Sequence, residues 1–220
     1  MDVKKILIAL LLLLPLNASA FMTDPNFPAF TPNYYIDAFI GYGSIDGANG
    51  SDGQYAQGRL ALALDVYQWQ ICSAGLELGL QSGKTLRLDV DENMVETTGG
   101  LNWQATLNPF LDFLATAKLG IPVRIPTFAL FKIGASYRQL QLNDRSSSED
   151  YVSQVSPEIQ VGLSIQLTRN AALQLIYQGI YSGDSASPEL RVDRTTNDIE
   201  SIITNIPTQQ AGFIGFEIIL

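Results

Sequence analysis

The chain closes on AGFIGFEIIL, residues 211–220. In it Phe216, Ile218 and Leu220 alternate with Gly215, Glu217 and Ile219. A period of two belongs to a β-strand, whose successive side chains point to opposite faces. Chain ends usually fray unless something ties them down. An apolar strand that runs to the last residue therefore needs a partner along its whole length.

Working outward, seven more segments carry the same alternation: about Tyr34–Ser44, Gln57–Tyr67, Gln70–Gly83, Phe110–Ile121, Phe128–Leu142, Val152–Leu167 and Ala171–Ser182, with Gln209–Leu220 as the eighth. The connections alternate in length. Gln68–Trp69, Pro122–Thr127 and Thr168–Asn170 are short. Ile45–Ala56, Lys84–Pro109, Asn143–Tyr151 and Gly183–Thr208 are long and rich in Asp, Glu, Ser, Asn and Gly, as surface loops are. Short turns on one side and long loops on the other are the topology of an up-and-down transmembrane barrel. The stretch Leu101–Asn108 reads either as an outward extension of the fourth strand or as part of the second long loop. A ninth strand there would break the alternation.

The other terminus fits export. Lys4 and Lys5 precede an apolar run from Ile6 and then Ala18-Ser19-Ala20, the layout of a cleaved leader. The run is far shorter than the ~20 residues of a spanning helix. The expected organisation is a leader over 1–20, a periplasmic segment over 21–33 and a barrel over 34–220. Of the 220 residues 13 are basic and 22 acidic, for a net charge of −9. Such a chain repels nucleic acid. Cys72 is the only cysteine, so no intramolecular disulfide forms even in an oxidising compartment. The absence of histidine removes Ser-His-Asp triads, imidazole acid–base chemistry and most transition-metal sites.

Parity assigns the faces. In Val152–Leu167, Ile159, Val161, Leu163, Ile165 and Leu167 oppose Glu158, Gln160, Gly162, Ser164 and Gln166. Leu60, Leu62, Leu64 and Val66 oppose Arg59, Ala61, Ala63 and Asp65. The polar faces together hold Asp37, Arg59, Asp65, Glu77, Asp112, Lys118, Lys132, Arg138, Glu158 and Glu217. In a soluble sandwich the apolar face turns inward. Three features point the other way. The strands match the ~9–11 residues of a tilted bilayer crossing. Small residues and Gly fill the polar face, as a narrow interior requires. Tyr34, Tyr35, Tyr42, Tyr67, Trp69, Phe110, Phe128, Tyr137, Tyr151, Tyr177 and Tyr181 lie towards strand ends, like interfacial girdles. On this reading the ten charges meet in the lumen, where six acids and four bases pair into a plug. Leu140 and Leu142 fall on the polar face of their strand, which calls for a bulge or for emergence above the membrane.

Leader, eight alternating strands and apolar terminal strand resemble the small outer-membrane β-barrels of Gram-negative bacteria, the membrane domain of outer membrane protein A and its short relatives. The resemblance implies an all-β, eight-stranded antiparallel up-and-down transmembrane barrel in the outer membrane, with short periplasmic turns and long extracellular loops. It further implies that the barrel-assembly machinery reads Gly212, Ile214, Phe216, Ile218 and Leu220, with periplasmic chaperones acting beforehand. Leu220 stands where that signal ends in Phe. Outer-membrane lipid and lipopolysaccharide are the implied partners; any host or surface ligand is left unnamed.

Asp89, Asp91 and Asn93 match the opening of a calcium loop, but Met94 replaces its glycine and Gly100 its closing glutamate. No cofactor, catalytic residue or built metal site is expected; Asp89, Asp91, Glu92 and Glu96 read either as a solvated acidic loop or as a loose surface site for a divalent cation. The resulting reading is a non-enzymatic barrel that acts structurally and through acidic surface loops. A narrow ion or small-solute channel and a soluble exported barrel around an apolar ligand are the alternatives.

Overall fold

The computed structural model describes residues 33–46, 48, 53–69, 72–87, 104–123, 125–142, 151–182, 189–192, 199–202 and 205–220. The expected leader, the segment before Asn33 and the acidic stretch 88–103 lie outside them. Twelve strands are seen among the described residues: β1 (Asn33–Ile45), β2 (Gln54–Trp69), β3 (Cys72–Gln81), β4 (Lys84–Arg87), β5 (Gln104–Leu107), β6 (Phe110–Ile121), β7 (Thr127–Leu142), β8 (Tyr151–Thr168), β9 (Ala171–Ile180), β10 (Glu189–Val192), β11 (Ile199–Ile202) and β12 (Gln209–Ile219). Eight of them close a barrel in the cyclic order β1-β2-β3-β6-β7-β8-β9-β12, each antiparallel to its neighbours. β10 and β11 form a separate hairpin.

The terminal strand has the partners its pattern asks for. β12 pairs with β1 from Tyr35↔Ile219 to Ile45↔Gln209 and with β9 on its other side. Leu220 N–H donates to the Tyr34 carbonyl at 2.9 Å. Closure of this kind satisfies the backbone without a sheet edge, which lipid demands. Following paired residues round the barrel, Tyr35 leads to Ala63, Glu77, Leu114, Gly134, Glu158, Ile180 and Gln209, and returns to β1 at Ile45. The path comes back ten residues beyond its start, a shear that tilts the strands by ~35–45° and leaves an interior only as wide as its side chains.

Gln104–Leu107 is the outward extension of the fourth long strand. It pairs with β4 and with Leu140–Leu142 of β7 after a break at Asn108–Pro109, and adds no ninth strand to the barrel. β7 and β8 stay in register from Thr127↔Ile165 to Gln141↔Tyr151, so no bulge turns Leu140. Leu140 stays inward and is buried with Ile45, Tyr55, Leu86, Phe110, Ile180 and others in an apolar cluster across the long-loop mouth. Register shifts occur instead at Asp65/Tyr67 and Gln166/Thr168, near the short turns.

The faces divide as parity dictates. The outer wall carries Ile36, Ile40, Leu60, Leu62, Phe113, Phe131, Ile133, Val161, Leu163, Leu175, Ile214 and Phe216, all exposed. The eight barrel strands contain ten charged residues, and none stands on the outward face. Where a soluble ligand-binding barrel needs an apolar cavity, the inward side is filled by charged and amide side chains together with packed apolar clusters. Two residues expected in the aromatic girdles are corrected: Tyr35 and Phe110 are buried inside the barrel. They lie near strand ends but share parity with Asp37 and Asp112, and parity prevails. Tyr34, Tyr67 and Trp69 at the turn end, and Tyr42, Tyr137, Tyr151, Tyr177 and Tyr181 towards the loops, are exposed.

Candidate functional site

Among the described residues, the lumen is where the fold gathers chemistry-bearing side chains. Strands β1, β2, β3, β6, β7, β8 and β12 each send charges into it, since a charge costs far less against a counter-charge than against lipid. All ten residues expected there point inward, with Lys118 the least enclosed.

At the turn end Lys118 Nζ donates to Glu217 Oε2 at 2.6 Å and lies 3.7 Å from the centre of the Tyr35 ring. Gln174 Nε2 donates to the same carboxylate oxygen at 2.8 Å. The Tyr35 hydroxyl donates to Asp65. In the middle, Arg59 is held by two carboxylates. Its Nε and Nη2 donate to Asp112 at 3.0 and 2.5 Å, and Nη2 also reaches Glu77 Oε1 at 2.6 Å. Lys132 Nζ donates to Glu77 Oε2 at 2.6 Å and stands 3.9 Å from Asp37. Arg59 and Lys132 also sit 5.8 and 5.6 Å from the centre of the Phe39 ring. Five residues from five strands thus form one connected group across the lumen. Gly79, opposite Asp112 in register, makes room for it: a Cβ there would collide with Asp112 and with Arg59 Nη2.

Above this group is a belt of amides. Gln178 Nε2 donates to Glu158 Oε1 at 2.6 Å and to Gln81 Oε1 at 3.0 Å, and Gln160 Nε2 donates to Glu158 Oε1 at 2.6 Å. Gln209 Nε2 reaches Gln57 Oε1 at 3.0 Å, and Gln81 Nε2 donates to the same oxygen. Higher still, Arg138 ties the barrel to the end of the last long connection. It donates to the Pro207 carbonyl at 2.7 Å, the Ile206 carbonyl at 3.3 Å and Ser156 Oγ at 2.9 Å. Ile206 N–H donates to Gln154 Oε1 at 2.7 Å, and its side chain is buried in the mouth cluster.

Sequence reasoning passed over the belt and the apolar pad beneath it, where Phe39, Leu130, Ile176, Ala211 and Phe213 cluster. Phe39 and Phe213 meet edge to face at 6.2 Å. Parity could have found them, since Phe39 shares its face with Asp37 and Phe213 with Glu217. The five terminal residues Gly212, Ile214, Phe216, Ile218 and Leu220 all stand on the outward side. Among the described residues, no group of three Cys, Asp or Glu side chains is placed to hold a metal ion.

What this arrangement does is fill the barrel. Ion pairs block its middle, amides the next level and apolar side chains the mouth. No family model and no curated protein matches the chain. Solved structures do. A major outer membrane protein from Thermus thermophilus is 13% identical with a TM-score of 0.52, over 87% of this chain and 100% of that one. Ail, the attachment invasion locus protein of Yersinia pestis, solved with the heparin analogue sucrose octasulfate, is 10% identical with a TM-score of 0.51, over 86% of this chain and 97% of that one. At such identity the likeness is one of fold. The fold is that of the small eight-stranded outer-membrane β-barrels, and the uncharged apolar wall is what such a barrel presents to lipid.

Proposed function

We propose that this chain is a non-enzymatic outer-membrane barrel with a structural and surface role, exercised through its four long connections. The observation that carries the reading is the distribution of charge. Every charge of the barrel strands is inside, where it is consumed in plugging the lumen. What remains for an external partner lies in the connections. Residues 45–56, 84–109, 143–151 and 183–208 hold 14 acidic and 5 basic side chains. Connections this acidic repel polysulfates, unlike Ail, which was crystallised with one. It suits instead an anionic neighbour bridged by a hard divalent cation, which prefers oxygen ligands. Lipopolysaccharide is that neighbour in the outer leaflet.

The test is association of the barrel, refolded in phosphatidylcholine vesicles, with lipopolysaccharide with and without magnesium. Magnesium should strengthen it. Replacing Asp89, Asp91, Glu92 and Glu96 by their amides should remove the magnesium dependence while leaving the barrel folded, as seen by a gel shift between boiled and unboiled samples. Unchanged association of the neutralised variant would overturn the loop role. Absence of any gel shift in the wild type would overturn the membrane barrel itself.

A further inference from the structure

Two outward glycines have no packing reason to be glycine. Inside the barrel Gly79 and Gly215 are forced, because a Cβ would strike Asp112 or the Ala38 carbonyl. On the lipid-facing wall a Cβ at Gly212 would meet nothing within 4 Å, and one at Gly58 only the Phe39 carbonyl at 3.9 Å. Glycine weakens a strand, and where it does so without crowding it often marks a close approach by something else.

The neighbours define the shape of the vacancy. Ala56, Tyr42, Gly212 and Tyr177 form one register row, and Gly58, Ile40, Ile214 and Leu175 the next row towards the turns. Two exposed tyrosines therefore stand on either side of a bare glycine, and in the row below a second bare glycine, Gly58, stands beside Ile40, Ile214 and Leu175. The result is a groove of about 750 Å³ on the outside of β2, β1, β12 and β9, with an almost wholly apolar lining. Its upper end is marked by polarity. The Tyr177 hydroxyl donates to Gln210 Oε1 at 2.8 Å and the Tyr42 hydroxyl to Gln54 Oε1 at 3.4 Å. Gln210 and Gln54 both pair with Ser44, one row nearer the loops. Tyrosines with an apolar body and a polar tip settle at the lipid–water boundary. The groove thus starts just beneath that boundary and opens into the apolar wall.

We propose that this groove seats one acyl chain of an outer-leaflet lipid, lying over Gly58 and Gly212 beside Tyr42, with its headgroup at the level of Gln54, Ser44 and Gln210. The occupant follows from continuity. The groove is a concavity within the surface that already faces acyl chains, and its lining is almost wholly apolar. The inference rests on the reading of the chain as a membrane barrel.

The experiment uses the full mature chain, refolded in dimyristoylphosphatidylcholine vesicles, extracted into octyl glucoside and weighed by native mass spectrometry. The wild type should retain a bound phospholipid through washing. The variant Gly58→Leu/Gly212→Leu, for which the open space leaves folding unhindered, should lose it. Ala115→Leu, which fills a lipid-facing position on β6 away from the groove, should keep it. Equal retention by all three proteins, loss in the Ala115→Leu control, or no retention by the wild type would overturn the proposal. So would a wild-type dimer that the groove variant converts to monomer, since a second copy would then be the occupant. A gel shift on boiling, run on each protein, separates these outcomes from failure of the barrel itself.

Discussion

Arg59 shows how a single residue holds this interior together. Its planar guanidinium satisfies Asp112 in a fork and Glu77 with the same Nη2, and a lysine cannot reproduce that geometry. Removing it leaves Asp112 without its cation and Glu77 with Lys132 alone. Breaking a buried ion pair from one side typically costs ~3–5 kcal/mol, because an uncompensated charge stays behind. Arg59→Ala should therefore lose stability of that order, measured by urea unfolding in lipid vesicles, and Arg59→Lys should lose less. An Arg59→Ala barrel as stable as the wild type would mean that the ion pairs contribute nothing net. Gly79 belongs to the same argument, since its missing Cβ is the space in which the fork closes.

Among the elements, β12 has the most to do. It closes the barrel by pairing with both β1 and β9. Its inward side supplies Glu217 to Lys118 and Gln174, and its outward side supplies Ile214, Phe216 and Ile218 to lipid. Deleting Phe216–Leu220 removes the pairing from Ala38↔Phe216 to Tyr35↔Ile219 and opens the seam. Two sheet edges would then face lipid, which spanning barrels do not tolerate. The truncated chain is expected to accumulate unfolded in the periplasm and to show no gel shift on boiling. Normal insertion of the truncation, followed by cell fractionation, would remove the assembly role given to the terminal strand.

At the scale of the whole molecule, the barrel is closed sideways and filled lengthwise. Eight strands with a shear of ten enclose little more than their own side chains, and here those side chains are bonded to one another at successive levels from Lys118 to Arg138. A wild-type barrel in a planar bilayer should therefore give no discrete conductance steps. Regular steps would show that the plug opens, and would return the narrow channel to consideration.

The sequence alone carries the period-two alternation, the eight segments, the short and long connections, and the membership of each face. These follow from local geometry, because a strand's side chains alternate whatever surrounds it. Parity is even more reliable than position: it places Tyr35 and Phe110 inside, where their location near strand ends points to the girdles. What only the tertiary structure decided is the height at which each inward residue meets the others. Lys118 bonds to Glu217, Gln178 to Gln81 and Gln209 to Gln57, pairs far apart along the chain. Those meetings depend on the registers of all eight pairings taken together. A slip of one pairing by two residues leaves every face unchanged but brings different side chains level with one another. The mouth cluster around Leu140 and the outer groove over Gly212 arise in the same way, from residues that share no local pattern and are brought side by side only when the barrel closes.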